Sequence, residues 1–489
     1  MNVKKIVSIS KNSMIAKHAN CIKALHPDKN KRYEWTDIGN GNLFADFFID
    51  YARYVPERKK WFVYDGKVWK PDIESLKVMQ MCKDLADALM CYALSIQDEK
   101  ARQDYMRFVN GWQKRRYRET ILKDAASVYP VECSCFDADP MLFNCLNGTL
   151  NLETRKLRRH DPKDMFSKIS RVVYNPQACN HRWQRFIHEI MSGDKEKAAF
   201  LQKSLGYALT GDNRMECLFL LFGPTSRNGK STVMETFLKL VGDYGKTARP
   251  ETIAQKHNCN SQSPSEDLAR LAGARFVNIP EPDKNLTLSS ALVKTLTGND
   301  SITARFLYEG SIEFRPNFKI FINTNHLPSV SDMTVFTSDR IKVIPFERHF
   351  KENERDEGLK AQFAKPESLS GILNWCVTGL DLIQKEGFKT PNVIKDATAE
   401  YRKNNDKIGR FLFDEMEANS SAEIRTSDAY NRYKEWCVRN GYYAENATSF
   451  KVALNNVATI VRKRPKTGGE KTSLLIGYQL KPTSYKEDC

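Results

Sequence analysis

Residues 218–232 read Leu-Phe-Leu-Leu-Phe-Gly-Pro-Thr-Ser-Arg-Asn-Gly-Lys-Ser-Thr, an apolar run that opens into a Gly-Lys-Ser-Thr loop. Cys217–Phe222 is almost wholly apolar, as a strand covered on both faces requires. After Lys230, apolar residues at Val233, Phe237, Leu240 and Val241 recur at helical spacing and stop at Gly242. Strand, glycine loop and helix in that order offer consecutive backbone N–H groups and a helix N-terminus to phosphate oxygens. Gly223, Pro224, Thr225, Ser226, Arg227, Asn228, Gly229, Lys230, Ser231 and Thr232 are therefore read as the cradle of a nucleoside triphosphate. Lys230 is placed to reach the β- and γ-phosphates, and the Ser231 hydroxyl to complete a Mg²⁺ shell. Gly223 and Gly229 are separated by one residue more than the strict pattern allows, so Pro224 takes the motif's first position.

The following hundred residues narrow the use of this loop. Arg275–Ile279 is a second short apolar strand ending in Pro-Glu-Pro-Asp, which sets Glu281 and Asp283 just past its C-terminal edge. A carboxylate there can hold Mg²⁺ and polarise an attacking water, and Glu281 is the choice for both duties. Lys319–Thr324 reads as a third strand that delivers Asn325, a neutral amide able to bond a γ-phosphate or a water without adding charge. Arg340-Ile-Lys-Val-Ile-Pro-Phe346 is a fourth, with Arg340 at its entry, where a cation can act across a subunit boundary.

The stretches Gly-Pro-Thr-Ser-Arg-Asn-Gly-Lys-Ser-Thr (223–232), Lys-Thr-Leu-Thr-Gly-Asn-Asp (294–300), Phe-Lys-Ile-Phe-Ile-Asn-Thr-Asn (318–325) and Asp-Arg-Ile-Lys-Val-Ile-Pro-Phe (339–346) together resemble a superfamily 3 helicase. Their phrasing is similar to the D5-like branch found in phage, plasmid and pathogenicity-island replication proteins. One departure is Asp339, which stands where the family usually has the first of two adjacent basic residues. The resemblance implies an α/β P-loop NTPase core of AAA+-like type, with an α+β N-terminal domain and a C-terminal winged-helix domain. It implies ATP and Mg²⁺ as cofactors, Lys230, Glu281, Asn325 and Arg340 as catalytic residues, and a homo-oligomer, a hexameric ring, that translocates on single-stranded DNA. It also places a β-hairpin in the ring's channel, here Ile302–Phe314 turning at Glu309-Gly310. Arg305 and Tyr308 on that hairpin, with Lys319 and Lys294 nearby, become candidate strand contacts by charge or stacking.

A net charge of +16 agrees with a polyanionic partner. No apolar run reaches the roughly 18 residues that span a bilayer, so a cytoplasmic location, in a host cell, is expected and no membrane partner. The 12 cysteines show no Cys-x-x-Cys pair and are read as reduced thiols.

Five segments are expected: a basic arm (1–40), a D5-like N-terminal domain (41–200), the ATPase domain (201–390), a linker (391–409) and a winged helix (410–489). Trp61–Trp69 reads as a hairpin around Asp65-Gly66. Phe136-Asp-Ala-Asp139 is similar to the paired aspartates of nucleotidyl transfer, but no further acid or His follows, and it is read as structural. In the last segment a helix from Thr426 to Asn440-Gly441, a second over Ala447–Ile460 and a basic hairpin into Ser473–Leu480 give the winged-helix layout. Lys451, Arg462, Lys463, Arg464 and Lys466 are its candidate contacts to duplex DNA, such as a replication origin. The sequence thus points to an ATP-driven DNA helicase and replication initiator of a mobile element. An ATP-regulated origin-binding or transcription-regulating protein without unwinding remains the alternative.

Overall fold

The computed structural model describes residues 21–255, 265–283, 286–305, 311–330, 332–465 and 470–482. Near the amino terminus, β1 (Ala52–Val55), β2 (Lys60–Tyr64) and β3 (Trp69–Pro71) form an antiparallel meander. The expected turn joins β2 to β3: Asp65 Oδ1 accepts from the Lys67 and Val68 amides, and Gly66 takes a φ of +98°. Helices 76–93, 99–110 and 115–125 close one core around Trp61, Tyr105 and Trp112. A second antiparallel unit, β4 (Leu142–Cys145), β5 (Gly148–Asn151) and β6 (Leu157–Arg158), behaves differently. Its Phe143, Cys145 and Leu150 share a core with the middle of the chain.

The middle is an α/β unit. β7 (Leu218–Phe222), β8 (Gly245–Thr247), β9 (Phe276–Pro280), β13 (Lys319–Thr324) and β15 (Ile341–Pro345) form a parallel sheet in the order β15-β7-β13-β9-β8. Four of these are the strands expected from sequence. β8, three residues after a tight turn, carries no apolar run to announce it. Phe219, Leu221, Phe321 and Ile344 face one core, which the 230–241 helix enters with Val233 and Phe237. Leu218, Leu220, Ile320, Ile322 and Val343 face another, beneath the Ser290–Thr297 helix. Both faces are covered, which is why the strands are apolar throughout rather than alternating.

Two short pairs lie beyond the sheet: β10 (Thr287–Leu288) with β14 (Ser329–Val330), and β11 (Ile302–Arg305) antiparallel to β12 (Ser311–Phe314). The second is the expected hairpin, and its tip, with Tyr308, Glu309 and Gly310, lies outside the described residues.

Residues 391–409, expected as a linker, are instead helical over Asn392–Asn405 and from Lys407 on. Ile394, Ala397 and Tyr401 present one apolar face to β15, and Tyr401 Oη donates to the Pro328 carbonyl at 2.5 Å. The polar run Lys403–Lys407 masked that face. The last segment runs helix 407–415, β16 (Met416–Arg425), helices 426–439 and 447–455, β17 (Ile460–Lys463) and β18 (Thr472–Leu480), with the sheet order β16-β18-β17. Phe411, Tyr433, Trp436 and Phe450 fill its core.

Two buried cations correct simple readings of charge. Lys319 is fully buried: its Nζ donates to the Thr210 carbonyl at 2.7 Å and lies 4.4 Å from the Tyr207 ring centre. That removes it from the DNA contacts, because no surface reaches it. Arg275 donates to the carbonyls of Leu209 (2.7 Å), Leu142 (2.7 Å) and Asp139 (3.2 Å) and stacks on Tyr244, binding the β4–β6 unit to the sheet. Arg275→Ala leaves those carbonyls unpaired in the interior. We expect a loss of at least about 3 kcal/mol, read as a lower thermal unfolding midpoint.

Candidate active site

The loop after β7 is fixed from several sides. The Phe346 amide donates to the Phe222 carbonyl at 2.6 Å, and the Phe350 amide to the Arg227 carbonyl at 2.9 Å. Asn228, almost fully buried, turns its Nδ2 onto the Thr225 carbonyl at 2.7 Å, which closes the loop's extra residue into a tight turn. Gly229 has a φ of +88°, and a Cβ there would come within 2.5 Å of Ile190 Cγ2, so no other residue fits. Arg227 also takes a left-handed φ of +61°, strain of the kind that gathers at ligand sites.

Lys230 begins the 230–241 helix, and its ammonium is buried. It donates to Asn325 Oδ1 at 2.9 Å and to the Gly223 carbonyl at 3.2 Å. Burial pulls its pKa down to about 8, with the charge of Glu281 pulling the other way. Glu281 is exposed at the end of β9, and its amide is bonded to the Asn323 carbonyl of β13 at 2.8 Å. Its φ of +25° is forced on a non-glycine residue. Lys230, Ser231, Glu281 and Asn325 thus come together at the C-terminal ends of β7, β9 and β13, where parallel α/β sheets bind ligands. Asp283 is exposed in the segment beyond.

Sequence reasoning passed over Asn323. Its Nδ2 donates to Ser231 Oγ at 3.3 Å, while its buried Oδ1 has no partner among the described residues. The signal was available: an amide inside the apolar run Lys319–Thr324 has to be there for a bond. The oxygens of Ser231, Asn323 and Glu281 are the hard donors Mg²⁺ takes. Among the described residues no cluster of three His, Cys, Asp or Glu could hold a metal alone. Ser231 and Glu281 would hold the ion, with water and phosphate oxygens completing its shell.

Arg340 does not join this group. It lies at the opposite, N-terminal end of β15, where its guanidinium pairs with Glu216 at 2.7 Å and donates to Thr297 Oγ1 at 2.9 Å. Arg340, expected to act across a subunit boundary, thus has partners within its own chain. Lys294 is half-buried against Thr334 and Asp332, and Arg305 is exposed on β11. In the last segment Lys451, Arg462 and Arg464 are exposed, Lys463 pairs with Glu423 at 2.8 Å, and Lys466 lies outside the described residues. Asp137 is bound to Ser167 and Lys168, and Asp139 caps the Met141 amide, so both carboxylates serve local structure.

Family models match three parts of the chain: D5 N terminal like at 41–192, a family of unknown function at 221–340, and Poxvirus D5 protein-like at 403–481. The chain carries D5-family domains. It is 29% identical to a provisionally named helicase of Acanthamoeba polyphaga mimivirus, over 75% of this chain and 40% of that protein. Identity is 25% with a provisionally named helicase of Invertebrate iridescent virus 3, over 83% of this chain and 50% of that one. It is 22% with a provisionally named primase of African swine fever virus, over 61% and 33%. The chain spans at most half the length of these relatives. The apo C-terminal region of NrS-1 superposes with a TM-score of 0.48 at 10% identity, covering 87% of this chain and 95% of that one. Among the described residues no helix is long and apolar enough to cross a membrane.

A phosphate ligand favours charged Lys230, so its affinity should fall as pH rises through about 8, the value to which burial lowers this lysine. Glu281→Gln removes the neighbour that raises this pKa and should move the midpoint lower. Nucleotide titrations between pH 6.5 and 9.5 read both effects.

Proposed function

We propose that this chain is an ATP-hydrolysing DNA helicase that serves replication of a viral or other mobile element, working with Mg²⁺ as a ring of identical subunits. The observation that carries this is the meeting of Lys230, Ser231, Glu281 and Asn325 at one end of a parallel sheet. Names of the viral relatives, helicase and primase, support a role in replication.

In this reading the 223–229 loop wraps the phosphates with its amides, and Lys230 gives its ammonium to the β- and γ-oxygens. Mg²⁺, when bound, neutralises charge on the phosphate oxygens, with Ser231 as ligand and Asn323 holding that hydroxyl in place. Glu281 orients the attacking water and accepts its proton. Asn325, which accepts from Lys230 at 2.9 Å, turns to the γ-phosphate or the water when the nucleotide takes over the lysine. Arg340, at the far end of the sheet, serves the neighbouring subunit, as head-to-tail contacts in a closed ring allow.

DNA contacts divide between two surfaces. The β11–β12 hairpin with Arg305 and Tyr308 meets the single strand, with Lys294 nearby. The C-terminal helix-strand-helix-helix-strand-strand unit is read as a winged helix: helix 447–455 with Lys451 enters duplex DNA, and Arg462, Lys463, Arg464 and Lys466 follow the phosphates.

Two experiments test the reading. On forked duplexes with 3′ or 5′ tails, the parent should unwind only with ATP. Glu281→Gln should keep nucleotide binding and lose hydrolysis and unwinding by roughly 100-fold or more. Unwinding that survives in Glu281→Gln overturns the role given to Glu281, and a parent that binds forks and never opens them selects the origin-binding alternative. For the ring, Arg340→Ala subunits mixed with Lys230→Ala subunits should recover part of the ATPase rate, since some interfaces then join an intact loop to an intact arginine. Mixed rings without any recovery would count against an arginine acting across the interface.

A further inference from the structure

Asn325 stands immediately past β13, so its amide is aimed by the strand before it and by the turn after it. The strand is fixed, with β7 on one side and β9 on the other. The turn opens at Thr324, whose Oγ1 accepts from the His326 amide at 3.0 Å. Beyond His326 the chain leaves the sheet, and the side chains that direct it come from the 392–405 helix.

Two residues of that helix hold the turn. Tyr401 Oη donates to the Pro328 carbonyl at 2.5 Å, three residues past Asn325. Asn405 Oδ1 accepts from the Val330 amide at 3.0 Å, five residues past it. Tyr401 is 1% exposed, and its ring stands edge-on to Phe336 with 5.1 Å between centres. Asn405 Nδ2 donates back to the Tyr401 carbonyl at 3.0 Å, which keeps its oxygen turned toward Val330. The helix is itself pinned to the sheet, because Thr398 Oγ1 accepts from the Val343 amide of β15 at 3.1 Å. From the other side the Ser329 amide donates to the Leu286 carbonyl at 3.0 Å, and β14 pairs with β10. The segment that follows Glu281 is thus tied to the one that follows Asn325.

Packing alone does not ask for these polar groups. A phenylalanine would fill the space of Tyr401, and the buried phenol is accounted for by the acceptor it meets. A helix end can leave its carbonyls to water, yet the Asn405 side chain reaches across to β14. We propose that Tyr401 and Asn405 are positioning residues for Asn325: they set the path of the chain out of β13 and so hold that amide toward Lys230. The proposal rests on the triphosphate reading and on the role given there to Asn325. The last segment of the chain starts at the next residue, where Asp406 caps helix 407–415 by accepting from the Gly409 amide at 2.8 Å. The hold on Asn325 therefore sits where that segment joins the α/β unit.

The test is steady-state ATP hydrolysis by the full chain with Mg²⁺, comparing the parent with Tyr401→Phe, Asn405→Leu, Asn325→Ala and the double variant of Asn325→Ala with Asn405→Leu. Tyr401→Phe and Asn405→Leu should each lower kcat roughly tenfold, within the roughly 100-fold that a misplacement of about 1 Å can cost. KM should stay within about twofold, because the loop that binds the phosphates is untouched. The double variant should be no slower than Asn325→Ala alone, since the loss passes through that amide. Asn405 is half-buried, so Asn405→Leu keeps the test open if Tyr401→Phe unfolds the chain. Parent-like kcat in Asn405→Leu overturns the proposal. So do losses that add in the double variant, as they would if Asn405 only steadied the fold. Asn325→Ala at the parent rate overturns instead the role of Asn325, and a parent that hydrolyses no ATP overturns the reading of the loop beneath it.

Discussion

A lysine ammonium kept out of water without a carboxylate in contact is the interaction on which the site depends. Lys230 has two acceptors, the Gly223 carbonyl and Asn325 Oδ1, and burial draws its pKa down to about 8. Such a cation is under-compensated, and an anion that enters the loop relieves the cost directly. An aspartate at 325 would remove this drive, because a bonded carboxylate would compete with phosphate for the same ammonium. A neutral amide holds the lysine in position without satisfying it. Glu281 contributes at longer range, enough to raise the lysine's pKa and not enough to neutralise it.

Two other buried cations show what a saturated version looks like. Arg275 spends its donors on three carbonyls and stacks on Tyr244, and Lys319 is closed in by Thr210 and the Tyr207 ring. Both lie at the N-terminal ends of their strands, away from the loop, and apart from the Thr210 hydroxyl their acceptors are backbone carbonyls. Lys230 differs in that its side-chain acceptor, Asn325, stands just past the C-terminal end of β13, beside the loop. Similar residues in similar burial thus divide into structural pins and a binding group according to whether their partners can exchange.

The parallel sheet and its loop were legible because their signals are local. An apolar strand, a glycine loop and an apolar stripe of helical spacing lie within 25 residues, from Cys217 to Val241, and tertiary contacts only confirm them. Glu281 and Asn325 were legible for the same reason, each being the first polar group after an apolar strand. What escaped depended on distant partners. Lys319 is a surface lysine by composition and a buried one only because Thr210 and Tyr207 come from another part of the chain. The 392–405 helix was hidden by its polar face, since its apolar side counts only once β15 is known to run beneath it.

The two ends of the sheet give the molecule its direction. Lys230, Ser231, Glu281 and Asn325 lie at the C-terminal ends of β7, β9 and β13, and Arg340 holds the opposite end of β15. Its guanidinium bonds Glu216, which precedes β7, and Thr297, the last residue of the 290–297 helix. Five residues beyond Thr297 the chain enters β11 and the hairpin. An anion that drew Arg340 outward from a neighbouring subunit would have to break the bonds to Glu216 and Thr297 first. In a ring, occupancy of one nucleotide site would then reach the neighbour's hairpin through a single side chain, and the Glu216 pair would set the threshold for that release. For Arg340 to act across a subunit boundary it would have to exchange the Glu216 pair for its new partner.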